Sequence, residues 1–343
     1  MCRLNGTLTR NKLLVAVVCI LLVVATGAAV VLWRSSIWPR WPAPPDPTAY
    51  ATTIDKALAS YETDARDKTT YRPPYDPAGD YLGFSSMRWT EVENRTFDDL
   101  GFPMMLYGRR FEYNPINVAQ YALSQHGKGD HPRFLAAAAF LRDELMGEDG
   151  GLRFAYRYRH YVETLEPGWT SAMAQGQALS VFSRAYRLDP DPRWLSAGSA
   201  ALTYLLSGEH GLTPSLEALD PSLKDRHFFA EWPIDPPDYT LNGAMFTMLG
   251  LYDWSTVGPE SESKRRADRA WRESLETLLL MLPYYDMGTI TAYDLTYLTH
   301  PDRDPHIIAK YHGVHGYLLH ALTSITGDDR IRSWMDRWDA YLP

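Results

Sequence analysis

From Asn114 onward the apolar residues recur at helical spacing in one stretch after another, and the stretches are of two kinds. Candidate helices cover roughly Pro115–Gln125, Arg133–Met146, Ser171–Arg187, Arg193–Ser207, Asp238–Thr256, Glu262–Leu282, His312–Thr326 and Asp329–Tyr341, about eight helices in four pairs. Asp238–Thr256 is apolar nearly all round, and Ser171–Arg187 is small and apolar. Glu262–Leu282 instead begins charged, with Glu262, Lys264, Arg265, Arg266, Asp268 and Arg269, and ends apolar. A helix apolar on every side must be buried, and one with a charged face belongs outside it. Alternating inner and outer helices predict a mainly α fold, an α/α toroid or incomplete barrel of about four helical pairs. Three long connections, Gly147–Thr170, Gly208–Pro237 and Pro283–Tyr311, carry most of the Tyr, Trp, His and Arg outside the helices. The rim they form is where a site is expected.

The part before Asn114 is different. Residues 1–12 are short and basic, and Leu13–Leu32 is an uncharged apolar run of 20 residues. Such a run is long enough to span a bilayer and longer than the usual core of a cleaved signal peptide. The expected organisation is a cytoplasmic tail (1–12), a transmembrane anchor (13–33), a Pro-rich linker (34–48), a small irregular or β-containing extension (49–105) and the helical domain (106–343). The basic flank places the N-terminus in the cytoplasm and the helical domain on the extracytoplasmic or lumenal side.

The formal net charge of −8 argues against a nucleic-acid partner. An acidic polysaccharide would have to be gripped by a local basic patch, for which the rim offers Arg153, Arg157, Arg159, Arg226, Arg303 and Lys310. Cys2 and Cys19 both precede the helical part, which excludes a disulfide, a Cys-based zinc site and a Cys nucleophile there. His312 and His315 are three apart with no acid at ligand spacing, and there is no Gly-rich phosphate loop or nucleophile elbow. No metal and no cofactor is expected. The 22 Tyr and 11 Trp supply flat faces that stack on sugars, although most must be core.

The stretch His227–Asp253 joins two chemistries. Pro233, Pro236 and Pro237 forbid a helix and stiffen an aromatic loop around Glu231. From Asp238, which reads as an N-cap, a helix follows. An acid among rings has its charged form desolvated, which makes it a usable base or acid. The bland alternative is an ordinary loop carboxylate with its rings packed in the core. In Ala172-Met173-Ala174-Gln175-Gly176-Gln177 the amides suit sugar hydroxyls, but by spacing alone close packing is the commoner use.

Five segments, EYNPINVAQYAL (from Glu112), the Trp169–Tyr186 run, EWP with LNGAMFTMLGLYD (from Glu231), LPYYDMGTITAYDL (from Leu282) and KYHGVH (from Lys310), occur in this order. Together they resemble the C-terminal domain of the D-glucuronyl C5-epimerase family, which includes the heparan sulfate (heparosan) enzyme, over roughly Leu106–Tyr341. The resemblance implies an α/α toroid, a homodimer, and an isomerase that converts D-glucuronosyl to L-iduronosyl units in a polysaccharide. The C5 proton is removed and another returned from the opposite face. The family's catalytic positions fall on Glu231, Tyr293 and Tyr311. The same segments and the loop after them supply the expected substrate-binding residues Tyr113, Asn114, Trp169, Gln175, Gln177, Trp232, Asn242, Arg303, Lys310 and His312. Two departures stand out: Trp232 replaces a Tyr of the heparan enzyme, and Thr296 replaces an Arg suited to clamp a carboxylate, for which Arg303 is the available substitute. A lyase that starts with the same proton abstraction, or a non-catalytic carbohydrate-binding toroid, are the alternative readings.

Overall fold

The computed structural model describes residues 44–64, 71–91 and 94–341, so the expected anchor Leu13–Leu32 lies outside it. Among the described residues no helix is long and apolar enough to cross a membrane. The fold is mainly helical. After α1 (Ala51–Asp64), a three-stranded antiparallel sheet forms from β1 (Arg95–Phe97), β2 (Pro103–Tyr107) and β3 (Arg110–Glu112). The hairpins α2–α3 (Pro115–Gly127, His131–Phe140), α4–α5 (Ala172–Leu188, Pro192–Leu205), α6–α7 (Leu241–Ser255, Glu262–Tyr285) and α8–α9 (Ala309–Thr326, Asp329–Asp339) follow. Their first members touch in the order α2, α4, α6, α8, and each carries its partner alongside. The segment Tyr81–Ser86 packs against both α2 and α8, the two ends of this arc.

Sequence explains the inner row. In α6 nearly every residue is buried, and in α4 everything from Ala172 to Ala185 is. The two helices approach until their backbones touch: a Cβ on Gly250 would lie 1.9 Å from the Gly176 carbonyl oxygen, and one on Gly176 2.4 Å from Thr247 Cα. The small residues of the Ala172–Gln177 run thus serve packing. Outer helices begin at polar caps: Asp130, Asp191, Ser261 and Asp328 each accept a first-turn N–H of α3, α5, α7 and α9.

Three boundaries depart from expectation. Asp238 does not cap α6; Thr240 occupies that place, Tyr239 turns through a left-handed φ of 53°, and Asp238 is committed elsewhere. Helix α7 continues past Leu282 through Pro283 to Tyr285. Helix α8 starts at Ala309, so Lys310 and Tyr311 stand in its first turn rather than in a loop.

The extension before α2 shares the same core. Arg184 of α4 and Asp253 of α6 form an ion pair at 2.6 Å with both side chains fully buried. The Tyr75 hydroxyl donates to the same carboxylate at 2.8 Å, while Arg184 donates to the carbonyls of Asp76 and Gly79, both at 3.2 Å. Strand β2 runs across residue 105, where the sequence suggested a boundary.

Candidate active site

A cleft of about 810 Å³ opens between the segment 82–87, the start of α2, the loop after α3, the loops before α6 and the start of α8. One wall is a strip of rings. Phe154, Tyr156 and His160 are buried, with Tyr158 half-buried between them, while Ala155, Arg157 and Arg159 are exposed. This two-residue alternation is that of an extended strand with one face inward, although β4 itself covers only Tyr158–Arg159. Tyr158 stacks on Trp232 with ring centroids 4.6 Å apart and planes 5° apart, Phe154 stacks on Trp169 at 3.7 Å, and Tyr107 on Tyr156 at 3.8 Å.

Glu231 faces this wall, only 6% exposed. Its neighbour Ala230 holds it in place: the Ala230 N–H donates to Leu212 O, and its carbonyl accepts from the Ala172 N–H that opens α4, both at 3.0 Å. The carboxylate lies across the first turn of α6, where Gly243 leaves room for it. A Cβ there would fall 2.6 Å from both Glu231 Cβ and Oε2. Gly243→Ala ordinarily favours a helix by about 1 kcal/mol. Here it must displace Glu231 from its Cβ outward, so we expect kcat to fall by at least about tenfold and the helix-propensity gain in thermal stability to be lost, read by steady-state kinetics beside calorimetry.

Two phenols share the cleft. The Tyr293 carbonyl accepts from Leu241 N–H at 3.1 Å and its N–H donates to His306 O at 2.7 Å, which ties it to the head of α6. Its ring centroid is 4.5 Å from that of Tyr311 in the first turn of α8. Burial pushes the Glu231 carboxyl up to about 8, and the nearby charge of Asp238 adds to this; hydrogen bonds from Asn242 and Tyr293 hold it back. Burial and then the Glu231 charge raise both Tyr293 and Tyr311 above the usual phenol range. Asn242 Nδ2 donates to Glu231 Oε2 at 3.4 Å. Lys310 lines the cleft, its Nζ 5.3 Å from the Tyr311 ring centroid.

Behind the cleft two buried carboxylates hold the loops together. Asp238 accepts from the Thr240 hydroxyl at 2.8 Å and lies 3.4 Å from His160 Nε2. His160 Nδ1 accepts the Val162 N–H at 3.3 Å, which turns its Nε2 toward Asp238. Asp294 accepts from the Tyr161 hydroxyl, from Thr296 Oγ1 at 2.5 Å and N at 2.9 Å, and pairs with His306 Nδ1 at 2.8 Å. Thr296 therefore fills a latch, not a carboxylate clamp.

Of the residues expected from sequence, Glu231, Tyr293, Tyr311, Asn114, Trp169, Trp232, Asn242 and Lys310 line the cleft. The other five expected residues are not among those that line the cleft. Tyr113 gives its hydroxyl to Asp98 at 2.6 Å. Gln175 is fully buried, with Oε1 accepting Leu152 N–H and Nε2 donating to Gly150 O and Ala201 O. Gln177 is fully buried in α4. His312 points into the core, with Nδ1 3.0 Å from the Thr291 hydroxyl, and burial pushes it down to about 4. Arg303 is exposed and donates to Tyr161 O at 3.2 Å. Asn114 does line the cleft, but its Oδ1 caps α2 and its Nδ2 donates to Tyr107 and Tyr156 hydroxyls, so it braces the ring wall. Of the six suggested rim cations, only Lys310 lines the cleft; Arg157 pairs with Glu166 at 2.7 Å and Arg153 with Asp149. Sequence reasoning missed Tyr158, His160, Asp238 and Asp294. The alternation of rings from Phe154 to His160 was the available signal for the first two.

Residues 146–340, more than half of the chain, match the family model for the D-glucuronyl C5-epimerase C-terminus. The chain belongs to this epimerase family. It is 30% identical to the D-glucuronyl C5-epimerase of Caenorhabditis elegans over 189 residues, 52% of this chain and 29% of the nematode protein. The match thus spans well under two thirds of that relative. An uncharacterised protein of Methanocaldococcus jannaschii is 22% identical over 271 residues, 71% of this chain and 84% of that one. Among solved structures, a polysaccharide lyase aligns at TM-score 0.45 and 12% identity, covering 66% of this chain and 58% of its own. A family 76 glycoside hydrolase from a bovine Bacteroides thetaiotaomicron strain aligns at 0.45 and 11%, covering 70% and 49%. Glu231, Tyr293 and Tyr311 of the epimerase-family chain all fall within the matched region, whereas the braces Tyr107 and Asn114 precede it. Among the described residues no group of three or more His, Cys, Asp or Glu is placed to hold a metal ion.

Proposed function

We propose that this protein is a glucuronyl C5-epimerase that inverts D-glucuronosyl units of an anionic polysaccharide to L-iduronosyl, and that its four helical pairs form an incomplete α/α toroid around the cleft. The reading is carried by a buried carboxylate, displaced toward neutrality, that shares one ring-lined cleft with two phenols in a chain of this family. Glu231 takes the C5 proton, and the C5–H electron pair moves into the substrate carboxylate to give an enediolate. Tyr311 gives its O–H proton to C5 from the other face and is left as a phenolate. Lys310, in the first turn of α8, lines the same cleft, and it and the positive end of that helix are the groups available to meet the charge that grows on the carboxylate.

The two proton transfers are coupled. The Glu231 charge is one reason both phenols resist ionisation. Once Glu231 holds the C5 proton that charge is gone, and Tyr311 becomes a better acid at the moment it must donate. Tyr293 shares the cleft with Glu231 and has its ring centroid 4.5 Å from that of Tyr311, which offers a route by which the proton returns to the phenolate. The uncharged apolar run Leu13–Leu32 supports reading the helical domain as lying on the extracytoplasmic side of a membrane.

Since Glu231 must be ionised to act and its carboxyl lies near 8, the base is mostly protonated at lower pH. kcat/KM should rise about tenfold per pH unit below roughly pH 8 and level off above it. A profile already flat from pH 5 would remove Glu231 as the base. Product analysis tests the reaction itself. After incubation with an unsulfated glucuronate polymer, iduronosyl signals are expected by NMR, whereas an unsaturated uronate absorbing in the ultraviolet would identify a lyase.

A further inference from the structure

The cleft is short of positive charge for an anionic polymer: Lys310 is the one Lys or Arg among its described lining residues. A second cavity, of about 640 Å³, supplies what the cleft lacks. It shares the wall Ser85-Ser86-Met87 with the cleft, so the two adjoin across this segment. Its described lining includes Arg88, Lys128 and Arg133 and no acid, together with the rings of Trp89, Phe97 and Tyr121. Arg95 lies over the Trp89 ring at 4.4 Å, Lys128 Nζ donates to Met87 O at 3.0 Å, and Arg133 donates to the Tyr121 hydroxyl at 3.4 Å with Asp130 at 3.7 Å. Lys128 is thereby held against the shared wall, and Arg133 against the hydroxyl of the buried Tyr121. These residues all precede the region 146–340 matched by the family model.

We propose that this cavity is a distal subsite for a second acidic sugar of the same polymer chain: its exposed cations take a carboxylate or sulfate, so a chain crossing Ser85–Met87 is held in both places. The proposal rests on reading the cleft as a glucuronate-polymer site. It predicts that affinity depends on chain length, because only a chain long enough to leave the cleft reaches the cations.

The test compares full-length wild type with Lys128→Gln/Arg133→Gln, both exposed positions, by calorimetric titration with an unsulfated glucuronate polymer and with its tetrasaccharide. Arg269→Gln/Arg272→Gln, two cations of the outer helix α7, serves as the equal-charge control. The first variant is expected to bind the polymer about tenfold more weakly at low salt, with a shallower salt dependence. Tetrasaccharide affinity and the melting temperature should not change, and the α7 variant should match wild type. Undiminished polymer affinity in Lys128→Gln/Arg133→Gln overturns the subsite. So does an equal loss for tetrasaccharide and polymer, an equal loss in the α7 variant, or a wild type that binds both ligands alike. C5 hydrogen exchange measured on the same wild-type samples keeps the two readings apart: the predicted length dependence without exchange supports the subsite and removes the epimerase reaction.

Discussion

Glu231→Gln is expected to lower C5 hydrogen exchange by about 10²–10⁴-fold, the usual contribution of a general base, with the helical fold intact. The amide keeps the shape and the contact with Asn242, and removes the only function that an acid of this kind supplies. The same change carries an independent signature in stability. A carboxyl raised to about 8 by burial opposes the folded state as it ionises, so this contribution is absent at low pH and grows as pH rises from the unfolded value through 8. Glu231→Gln should therefore melt at a higher temperature than wild type above pH 8 and at a similar one near pH 5. Tyr311→Phe should lose epimerisation to a similar extent, yet leave exchange from the Glu231 face measurable. Wild-type exchange in Glu231→Gln would sink Glu231 as the base and leave the tyrosine pair as the alternative.

Arg184→Met should be the most damaging substitution for the fold. It leaves Asp253, fully buried between α4 and α6, without its cation, and strands the carbonyls of Asp76 and Gly79. Breaking such a pair on one side costs about 3–5 kcal/mol. For a chain of this size that lowers the melting temperature by roughly 4–8 °C in a calorimetric scan. Adding Asp253→Asn to Arg184→Met should recover part of the loss, because the stranded charge goes with it. A single variant that melts like wild type would mean that the ion pair and its bonds to Tyr75, Asp76 and Gly79 do not hold the extension to the helical pairs.

The helical pairs were legible because burial on all sides, or on one, leaves a periodic trace that survives without any tertiary knowledge. Polar caps marked most helix starts. Helix α8 escaped because Ile308 stands at its cap and offers no side-chain acceptor, so Lys310 and Tyr311 read as loop. Asp238 misled for the opposite reason: it has the chemistry of a cap, but His160, distant in sequence, stands beside it. Gln175, Gln177 and His312 looked like ligand residues because they are polar inside a shared motif. Whether a buried amide faces a cavity or three backbone groups depends on the neighbours that folding brings, and no local pattern records that. Glu231, by contrast, could be picked out, since a proline-stiffened aromatic loop fixes and desolvates an acid whatever packs around it.

Deuterium at C5 bears most directly on the central claim. Full-length protein incubated with an unsulfated glucuronate polymer in deuterated water should give polymer in which new L-iduronosyl units, and part of the recovered D-glucuronosyl units, carry deuterium at C5 by NMR, with no unsaturated ends. Polymer recovered with its C5 protons untouched, under conditions where calorimetry shows it bound, would contradict the account and leave a protein that binds the chain without chemistry.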